Sequence, residues 1–589
     1  MPAILQRLLL AIVLITLTAC GGGGGGGGSV DPTPQSENGG GNGGGNGGDN
    51  GGGNGGGNGG ESGEEPLKGL YGASRLGSRA TFGADLATIE YIDALGEEAW
   101  LEEQFTLAYS SHDAVVMGLF ELQESGAFEQ LREDRDIDDF QALFGRAAWW
   151  HTTITAPDQL RQRVAYSLSQ IFVISDTVNT LLQAPYATSN YYDTLLQHAF
   201  GNFRDLLLAV TLHPSMGFYL SHLNNAKSDP EAGTFPDENY AREVMQLFSI
   251  GLFELNIDGS EKLDDSGQPI PTYDNDDIRE FAKIFTGLSW GGDNPRFASF
   301  RVDFSQPMKM FNNFHEPGEK HLLLGEVVPA GQNGMADVEA AIDNLFNHPN
   351  VGPFIGRQLI QRLVSSNPSP AYVTRVAETF NDNGEGVRGD MQAVLRAILL
   401  DEEARAIPDA QSLRGKLREP LLRYTAMLRQ LGVRSSDDFY ANLGFVVQQL
   451  IQQHPLSAPS VFNFYLPNHQ PIGDIADAGL VAPEFQITNT NTVVEISNLM
   501  QFAIIGDFVN DLDDPPFSKA YLELGDFLPL ADDIDALMDR MDTVFTYGTL
   551  SEVTRTEIAN LLSVVDEQEL RVRIAVYLLL ISPDYAVEI

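Results

Sequence analysis

The sequence predicts an all-α protein, in which a large, non-repetitive, multi-helix globular body follows a disordered glycine-rich linker. Three observations support this prediction. Apolar residues beyond residue 66 recur at the 3, 4 and 7 spacing of amphipathic helices. The strict alternation that is typical of strands is scarce. No segment repeats with the roughly 34- to 45-residue period of helical solenoids.

Six segments show the helical pattern most clearly, and several carry start signals. Thr155 and Thr234 each stand three residues before an aspartate, with a proline between them, which predicts a capping threonine at the start of each helix. Asp274 with Asp277, and Asp390, predict further caps. The six apolar faces lie within residues 160–172, 240–248, 278–288, 338–346, 373–380 and 391–399.

Residues 1–20 predict a lipoprotein signal peptide. Arg7 precedes an apolar run of about ten residues, well short of the roughly 20 that span a bilayer as a helix. The run ends in small residues before Cys20, which is the single cysteine of the chain. A cysteine at this point resembles the lipid acceptor of bacterial lipoproteins. We therefore predict lipidation of Cys20 and, because Gly21 follows it, anchoring in the outer membrane of the cell envelope.

Residues 21–65 predict a tether. The segment is Gly/Asn-rich and lacks the apolar side chains that would offset the entropy of ordering, so we expect it to stay disordered. As a flexible coil of about 40 residues it would reach roughly 35 Å. Such a spacer holds a globular body away from a membrane surface.

Residues 66–589 predict one helical body, for which we also consider two lobes that meet near 336–350. Gly/Pro/Asp-rich segments at 254–275, 291–335 and 454–490 predict long loops, which in compact proteins are often functional. The formal net charge of −45 argues against nucleic acid as a partner, since nucleic-acid binding needs concentrated Lys and Arg.

Several motifs in the body match a known family in order. They include residues 158–164 (DQLRQRV), 199–204 (AFGNFR), 237–243 (DENYARE), 286–290 (TGLSW), 315–320 (HEPGEK), 458–465 (APSVFNFY) and 582–585 (SPDY). From about residue 70 to the C-terminus the chain resembles the bacterial exported family known as domain of unknown function eighteen-hundred. The resemblance implies an all-α exported protein and a secreted partner similar to sulfatases and alkaline phosphatases. It implies no catalytic residues. Many relatives have a histidine where Phe248 stands here.

The segment that begins at Thr234 holds the first candidate site. Asn239, Arg242, Glu243 and Gln246 form one polar stripe along a helix, and Glu238 reaches Arg242 at i, i+4. A polar stripe also suits a solvated surface or an Arg–Glu network with Arg161 or Arg163. The interpretation therefore stays open between a functional cleft and a structural face.

The loop around His315 supplies the second candidate. If His315 meets Glu238 or Glu243, the set has the ligand types of a divalent-metal site, with His315 and Glu243 as ligands and a metal ion as cofactor. Without metal, the same groups could perform acid–base chemistry. The long spacing is not diagnostic, and a surface histidine is the plainer alternative.

Two other patterns are weaker evidence for a function. Residues 287–291 match the G-x-S-x-G string of serine hydrolases, but a helix precedes them where a strand is required. Tyr240, Trp290 and other aromatic residues could stack against sugars, although a large helical core needs the same residues.

Two function classes remain. The first, which the sequence slightly favours, is binding or assembly work on an extracellular polymer together with the sulfatase-like partner. The second is a metal-assisted or acid–base hydrolase of an extracellular glycan or ester. In that enzyme Glu243, His315 and Glu238 would be catalytic, and Asn239, Arg242, Trp290 and Tyr240 would contact substrate.

Overall fold

The computed structural model describes residues 67–128, 140–299, 302–408, 414–435, 439–440, 442, 444–506, 509 and 520–589. The predicted signal peptide, Cys20 and the tether lie outside these residues. Helices account for 55% of the structure, and the strands form only two-stranded sheets, which confirms the all-α prediction. Among the helices described, none combines the length and hydropathy that a bilayer-crossing segment requires.

Twelve described helices precede residue 290. They are α1 Gly69–Ala80, α2 Leu86–Leu95, α3 Glu97–Thr106, α4 His112–Glu124, α5 Phe144–Thr155, α6 Gln159–Ser169, α7 Asn179–Leu182, α8 Pro185–His198, α9 Phe203–Leu212, α10 Pro214–Tyr219, α11 Asn239–Gln246 and α12 Asn275–Ile284.

Thirteen further helices lie in the described part of the C-terminal half. They are α13 Gly334–Asn347, α14 Val351–Leu363, α15 Pro370–Asn381, α16 Met391–Leu399, α17 Glu402–Arg405, α18 Pro420–Gln430, α19 Phe445–Ile451, α20 Asp474–Asp477, α21 Thr490–Ile504, α22 Ile534–Met541, α23 Glu552–Leu562, α24 Gln568–Leu580 and α25 Pro583–Ala586.

Eight very short strands pair antiparallel within the described residues. The pairs are β1 Leu288–Ser289 with β2 Lys309–Met310, β3 Lys320–His321 with β4 Val327–Val328, β5 Lys416–Leu417 with β8 Val587–Glu588, and β6 Val433–Ser435 with β7 Ala520–Leu522. Each pair fastens a loop rather than forming a layer, so the core is made by helix packing.

One main apolar cluster runs through the body, from Ala73 in α1 to Tyr585 in α25. The described residues from 67 to 589 belong to a single compact unit. The lobe boundary considered near 336–350 falls on α13 and the start of α14, whose apolar faces belong to that same cluster. The two helices therefore share one core, and the boundary between two lobes stays a prediction.

The helical faces predicted from spacing are all found as buried faces, in α6, α11, α12, α13, α15 and α16. Two predicted caps are also confirmed. Asp274 and Asp277 form a reciprocal capping box at α12, and the Asp390 carboxylate accepts hydrogen bonds from Gln392 N and Ala393 N at α16. Such a cap contributes about 0.5–2 kcal/mol.

Both threonine start signals were placed too early. α6 begins at Gln159, and α11 begins at Asn239, five residues after Thr234. Thr234 instead pairs with Asp229 through reciprocal backbone hydrogen bonds of 3.0 and 3.1 Å, which keeps it extended. Asp237 caps α11 by accepting a 2.8 Å hydrogen bond from Asn239 N.

The G-x-S-x-G string does not form a nucleophile turn. α12 ends at Ile284, and the serine itself lies in the two-residue strand β1. An irregular segment, and not a helix, follows it at 290–299, as the sequence predicts. Ser289 is buried, and its hydroxyl donates a 2.5 Å hydrogen bond to Asn224 Oδ1. The hydroxyl is therefore a structural donor.

Candidate functional site

The polar stripe of α11 divides between solvent and interior. Glu238 and Arg242 are roughly half exposed and form an ion pair at 3.6 Å, and Glu238 also lies 3.9 Å from Arg279 of α12. Asn239 is exposed. Glu243, by contrast, is only 6% exposed. Three of the predicted residues thus face water, and one points into the protein.

Glu243 occupies an apolar and aromatic environment. Burial raises the pKa of its carboxyl to about 7, against the opposing charge of Arg242. Its Oε2 has no hydrogen-bond partner among the described residues. The charge of Glu243 acts on Tyr219 and Tyr273, and the Tyr273 hydroxyl donates to Gln246 Oε1 at 3.4 Å. Its carboxyl therefore holds a proton more tightly than an ordinary glutamate does.

His315 belongs to a group that we call the Lys320 cluster, which consists of the buried residues Thr286, His315, Lys320 and Asp337 and the partly exposed Gln332. His315 Nδ1 lies 2.9 Å from the Thr286 carbonyl oxygen and therefore carries the proton of that hydrogen bond. His315 Nε2 lies 3.1 Å from Lys320 Nζ and 2.9 Å from Asp337 Oδ2. Lys320 also forms an ion pair with Asp337, whose other oxygen accepts a 3.0 Å hydrogen bond from Gln332.

These contacts do not fit the predicted metal pair. Both ring nitrogens of His315 are already bonded to protein groups, and neither Glu238 nor Glu243 is among its partners. Within the described ranges, no group of three or more His, Cys, Asp or Glu side chains is arranged to hold a metal ion. The fold uses His315 to fasten the 312–321 loop against α13.

Tyr240 and Trp290 are core residues and not ligand contacts. Tyr240 is fully buried, stacks on His222 with ring centroids 3.8 Å apart, and has its hydroxyl 2.7 Å from Thr211 Oγ1. Trp290 is buried against Phe304 in an edge-to-face pair at 5.1 Å. Burial leaves neither side chain at the protein surface, so their predicted contact with substrate gains no support from the structure.

A second region with exposed and buried polar groups is a cavity beside α14, which we call the α14 cleft. It has a volume of about 450 Å³. The ends of α6 and α11 meet one face of α14 there, and the 251–261 and 461–468 loops form the walls. Its lining comprises Gln170, Ile171, Gln246, Leu247, Gly251, Leu252, Phe253, Leu255, Gly259, Glu261, Phe354, Arg357, Gln358, Gln361, Arg362, Val461, Phe462, Asn463, Tyr465, Leu466, Pro467 and Asn468.

Helix geometry explains which face of α14 meets the cleft. A β-carbon at Gly352 or Gly356 would lie 3.0 Å from Asn381 Oδ1 or from Val376 Cγ1, so the glycine face packs closely on α15. At 100° per residue, Arg357 and Gln361 project roughly opposite to these glycines. The sequence of α14 therefore sends its long polar side chains into the cleft.

Asn350 holds the 251–261 wall in place. Its Nδ2 donates to the carbonyl oxygens of Ile250 and Phe253 at 2.9 and 2.7 Å, and its Oδ1 accepts from Leu255 N at 2.9 Å. Gly251 has a φ of +75°, and a β-carbon there would lie 2.8 Å from the Phe354 ring. Only glycine satisfies both constraints.

The 461–468 wall is fastened to α14 and to a neighbouring 3₁₀ turn. Gln361 Nε2 donates to the Pro467 carbonyl at 3.0 Å, and Leu466 N donates to Gln486 Oε1 at 2.8 Å. Asn463 adopts a φ of +65°, a conformation that asparagine tolerates better than most residues. Its amide side chain is thereby placed against the cleft.

The cleft contains hydrogen-bond donors without acceptors. Gln358 Nε2, Arg362 Nε and Asn463 Nδ2 are buried, and no described residue accepts a hydrogen bond from them. All three side chains are more than nine-tenths buried. Leaving such a donor unpaired costs roughly 1–3 kcal/mol, so this arrangement favours a ligand rich in acceptors.

A buried charge network supports the floor of the cleft. Glu419 Oε2 accepts hydrogen bonds from Tyr166 Oη at 2.6 Å and from Gln170 Nε2 at 2.7 Å. Burial opposes ionisation of Glu419, but the charges of Lys416 and Arg163 prevail and hold its pKa below the ordinary value. The hydrogen bond to Glu419 thus fixes the side chain of Gln170 at the base of the cleft.

A larger and more open depression of about 720 Å³ lies beside α1, α2 and α3. Its carboxylates include Glu97 and Glu102, which pair with Arg405 at 2.7 Å and with Arg396 respectively. We take the α14 cleft as the candidate site because three side chains with buried, unpaired donors line it.

The model of the family described as Protein of unknown function (DUF1800) matches residues 75–587. The chain belongs to this family. The family resemblance inferred from the sequence motifs is therefore confirmed. No curated protein and no solved structure matches the chain.

The cleft residues of this DUF1800 protein were missed by reasoning from sequence, although two signals were present. Residues 461–465 belong to one of the motifs that the family resemblance rests on, and four of these five residues line the cleft. Arg357 with Gln361, and Gln358 with Arg362, are two i, i+4 polar pairs on an otherwise apolar helix. Such pairs also suit a solvated surface, so only the fold distinguishes the two cases.

Proposed function

We propose that this chain is a cell-envelope lipoprotein, anchored in the outer membrane through lipidated Cys20, which binds a segment of an extracellular polymer in the α14 cleft. The observation that carries the binding function is the set of buried donors without acceptors. The secreted sulfatase-like protein that the family resemblance implies would work on the same polymer.

The chemistry of the cleft supports a sugar-like ligand. Ring and glycosidic oxygens supply the acceptors that the buried donors lack. Leu252, Phe462 and Leu466 are 49%, 45% and 39% exposed at the rim and offer an apolar surface to the C–H faces of sugar rings. An apolar lining with few converging polar groups is typical of ligand sites.

The binding function is tested with Phe462→Ala in the full-length, detergent-solubilised protein. We expect affinity for matched oligosaccharides, measured by calorimetry, to fall roughly fivefold or more, because about 1 kcal/mol of apolar contact is lost. Phe235→Ala is the matched control, since Phe235 is 76% exposed and lies outside the cleft lining. Equal affinity of the Phe462 variant and the parent protein would contradict the proposal.

Anchoring is tested with Cys20→Ser. We expect the variant to leave the membrane fraction on cell fractionation, because the acyl chains that hold the protein are then absent. Retention of the variant with the membranes would contradict the lipid anchor and leave the cleft test unaffected.

An acid–base hydrolase of a glycan or ester is the second candidate function, and Glu243 favours it. A buried carboxyl with a pKa near 7 and an unpaired oxygen suits general acid or base catalysis. Glu243 lies one helical turn from Gln246, which lines the cleft, but it is not itself part of the lining. Binding therefore remains the primary proposal.

The hydrolase proposal is tested by incubating the full chain with chromogenic glycosides and esters between pH 5 and 9. Turnover that Glu243→Gln abolishes and Glu238→Gln preserves would support it. Turnover that survives Glu243→Gln, or its complete absence, would contradict it.

A further inference from the structure

The charge of the α14 cleft differs from that of the whole chain. The protein has 81 acidic residues and 36 Lys and Arg. The charged residues that line the cleft are nevertheless Arg357, Arg362 and a single glutamate, Glu261. A cleft with a positive balance is therefore set into a strongly acidic protein.

Arg357 is unusual among the arginines of the described chain. Arg375 forms two 2.8 Å bonds to Asp401, and Arg146 forms a 2.9 Å ion pair with Asp176. Arg357 makes neither a hydrogen bond nor an ion pair with any residue that the structure describes. Burial lowers its pKa, and the charge of Glu261 only partly opposes that effect. A partly buried guanidinium without a partner is disfavoured until an anion reaches it.

The neighbouring groups are donors as well. Gln358, Arg362 and Asn463 line the same cleft, and Gln358 Nε2, Arg362 Nε and Asn463 Nδ2 find no acceptor in the described protein. The two terminal nitrogens of Arg362 donate to the carbonyl oxygens of Gln358 and Gln170. Carboxylates and sulfate esters only accept hydrogen bonds, whereas a sugar hydroxyl must also donate one. A set that contains a guanidinium and further donors therefore selects an oxyanion over a hydroxyl.

We propose that the ligand of the α14 cleft is an acidic polymer segment whose oxyanion, a carboxylate or a sulfate ester, binds to Arg357 with Gln358 and Asn463 beside it. This inference rests on the proposed binding function and deepens it. The apolar rim at Phe462 contacts the adjoining sugar ring, and the guanidinium takes the charge.

The test compares three oligosaccharides of equal length on the full-length, detergent-solubilised protein: a neutral one, one that contains uronic acids and a sulfated one. We expect at least one acidic ligand to bind roughly tenfold or more tightly than the neutral ligand, and the preferred ligand identifies the source of the oxyanion. Arg357→Gln is expected to remove this preference. Arg357→Lys, which keeps the charge but not the two-pronged geometry, is expected to retain part of it.

Arg434→Gln is the matched control, because Arg434 is an exposed arginine outside the cleft, 3.5 Å from Glu523. Equal affinity for neutral and acidic ligands, with the loss caused by Phe462→Ala intact, would overturn the oxyanion inference and leave the binding function standing. A preference for acidic ligands that persists in Arg357→Gln would also overturn it. Failure of all three ligands to bind would overturn both proposals.

Discussion

The Lys320 cluster and the α14 cleft both contain buried polar and charged side chains but differ in how fully those side chains are paired. In the cluster, the carboxylate of Asp337, the ammonium of Lys320 and both nitrogens of His315 bond to one another or to Thr286 and Gln332. In the cleft, several donors have no acceptor among the described residues. Side chains that pair with one another stabilise the fold, whereas unpaired donors that line a cleft are free to bind a ligand.

The largest expected effect tests whether the Lys320 cluster stabilises the fold. Asp337→Ala leaves the buried ammonium of Lys320 without its counter-charge, so we expect the free energy of unfolding to fall by about 3–5 kcal/mol. Urea denaturation of the full-length protein measures it. Asp343→Ala on the same helix is the control. Asp343 is 51% exposed and pairs with Arg204 at the surface, so its removal should cost less than about 1 kcal/mol.

Equal stability of Asp337→Ala and the parent protein would contradict the structural role. It would also reopen the cluster as a candidate site, because His315 would then be free to leave its partners.

The second-largest effect concerns Glu243, which is buried like the Lys320 cluster but has an unpaired oxygen. Its folded pKa of about 7 exceeds the ordinary value of 4.5, so the folded state holds the proton more tightly than the unfolded state does. Stability should therefore be fully retained below about pH 4.5 and fall as pH rises to 7. Glu243→Gln removes that fall, and above pH 7 the variant should gain about 1–2 kcal/mol relative to the parent, allowing for partial hydration.

Chemical denaturation at several pH values between 4 and 8.5 tests this. Glu238→Gln is the matched control, because its side chain is 43% exposed and its charge is hydrated in both states. A stability difference between Glu243→Gln and the parent that does not change with pH would show that the carboxyl is not desolvated as described.

The smallest effect tests Tyr240 as a core residue. Tyr240→Phe deletes the 2.7 Å hydrogen bond with Thr211 and should cost about 0.5–1.5 kcal/mol, with ligand affinity unchanged. Tyr91→Phe removes a comparable bond to Glu103 at an exposed site and should cost less. Loss of ligand binding in Tyr240→Phe, at unchanged stability, would restore its predicted role as a ligand contact.

Local patterns predicted much of the fold. The apolar spacing found six helices, and Asp274, Asp277 and Asp390 cap helices as their positions indicate. The predicted helix start at Thr234 was wrong, because a threonine, a proline and an aspartate also suit a turn. Thr234 pairs with Asp229 instead. Of the candidate site residues, Glu243 alone lies buried with an unpaired carboxylate oxygen. The sequence could not single it out, because the stripe of α11 does not reveal which of its residues the neighbouring helices cover.

The sequence by itself determined the all-α class, the helix faces and the family, because these depend on composition and on residues close together in the chain. Export and the tether stay predictions. Only the tertiary structure decided which polar groups remain unpaired. Asn350 bonds to Ile250 across 100 residues, Gln361 to Pro467 across 106, and Arg362 to Gln170 across 192. Whether a donor finds an acceptor depends on such distant contacts, and the cleft exists where the fold leaves its donors without one.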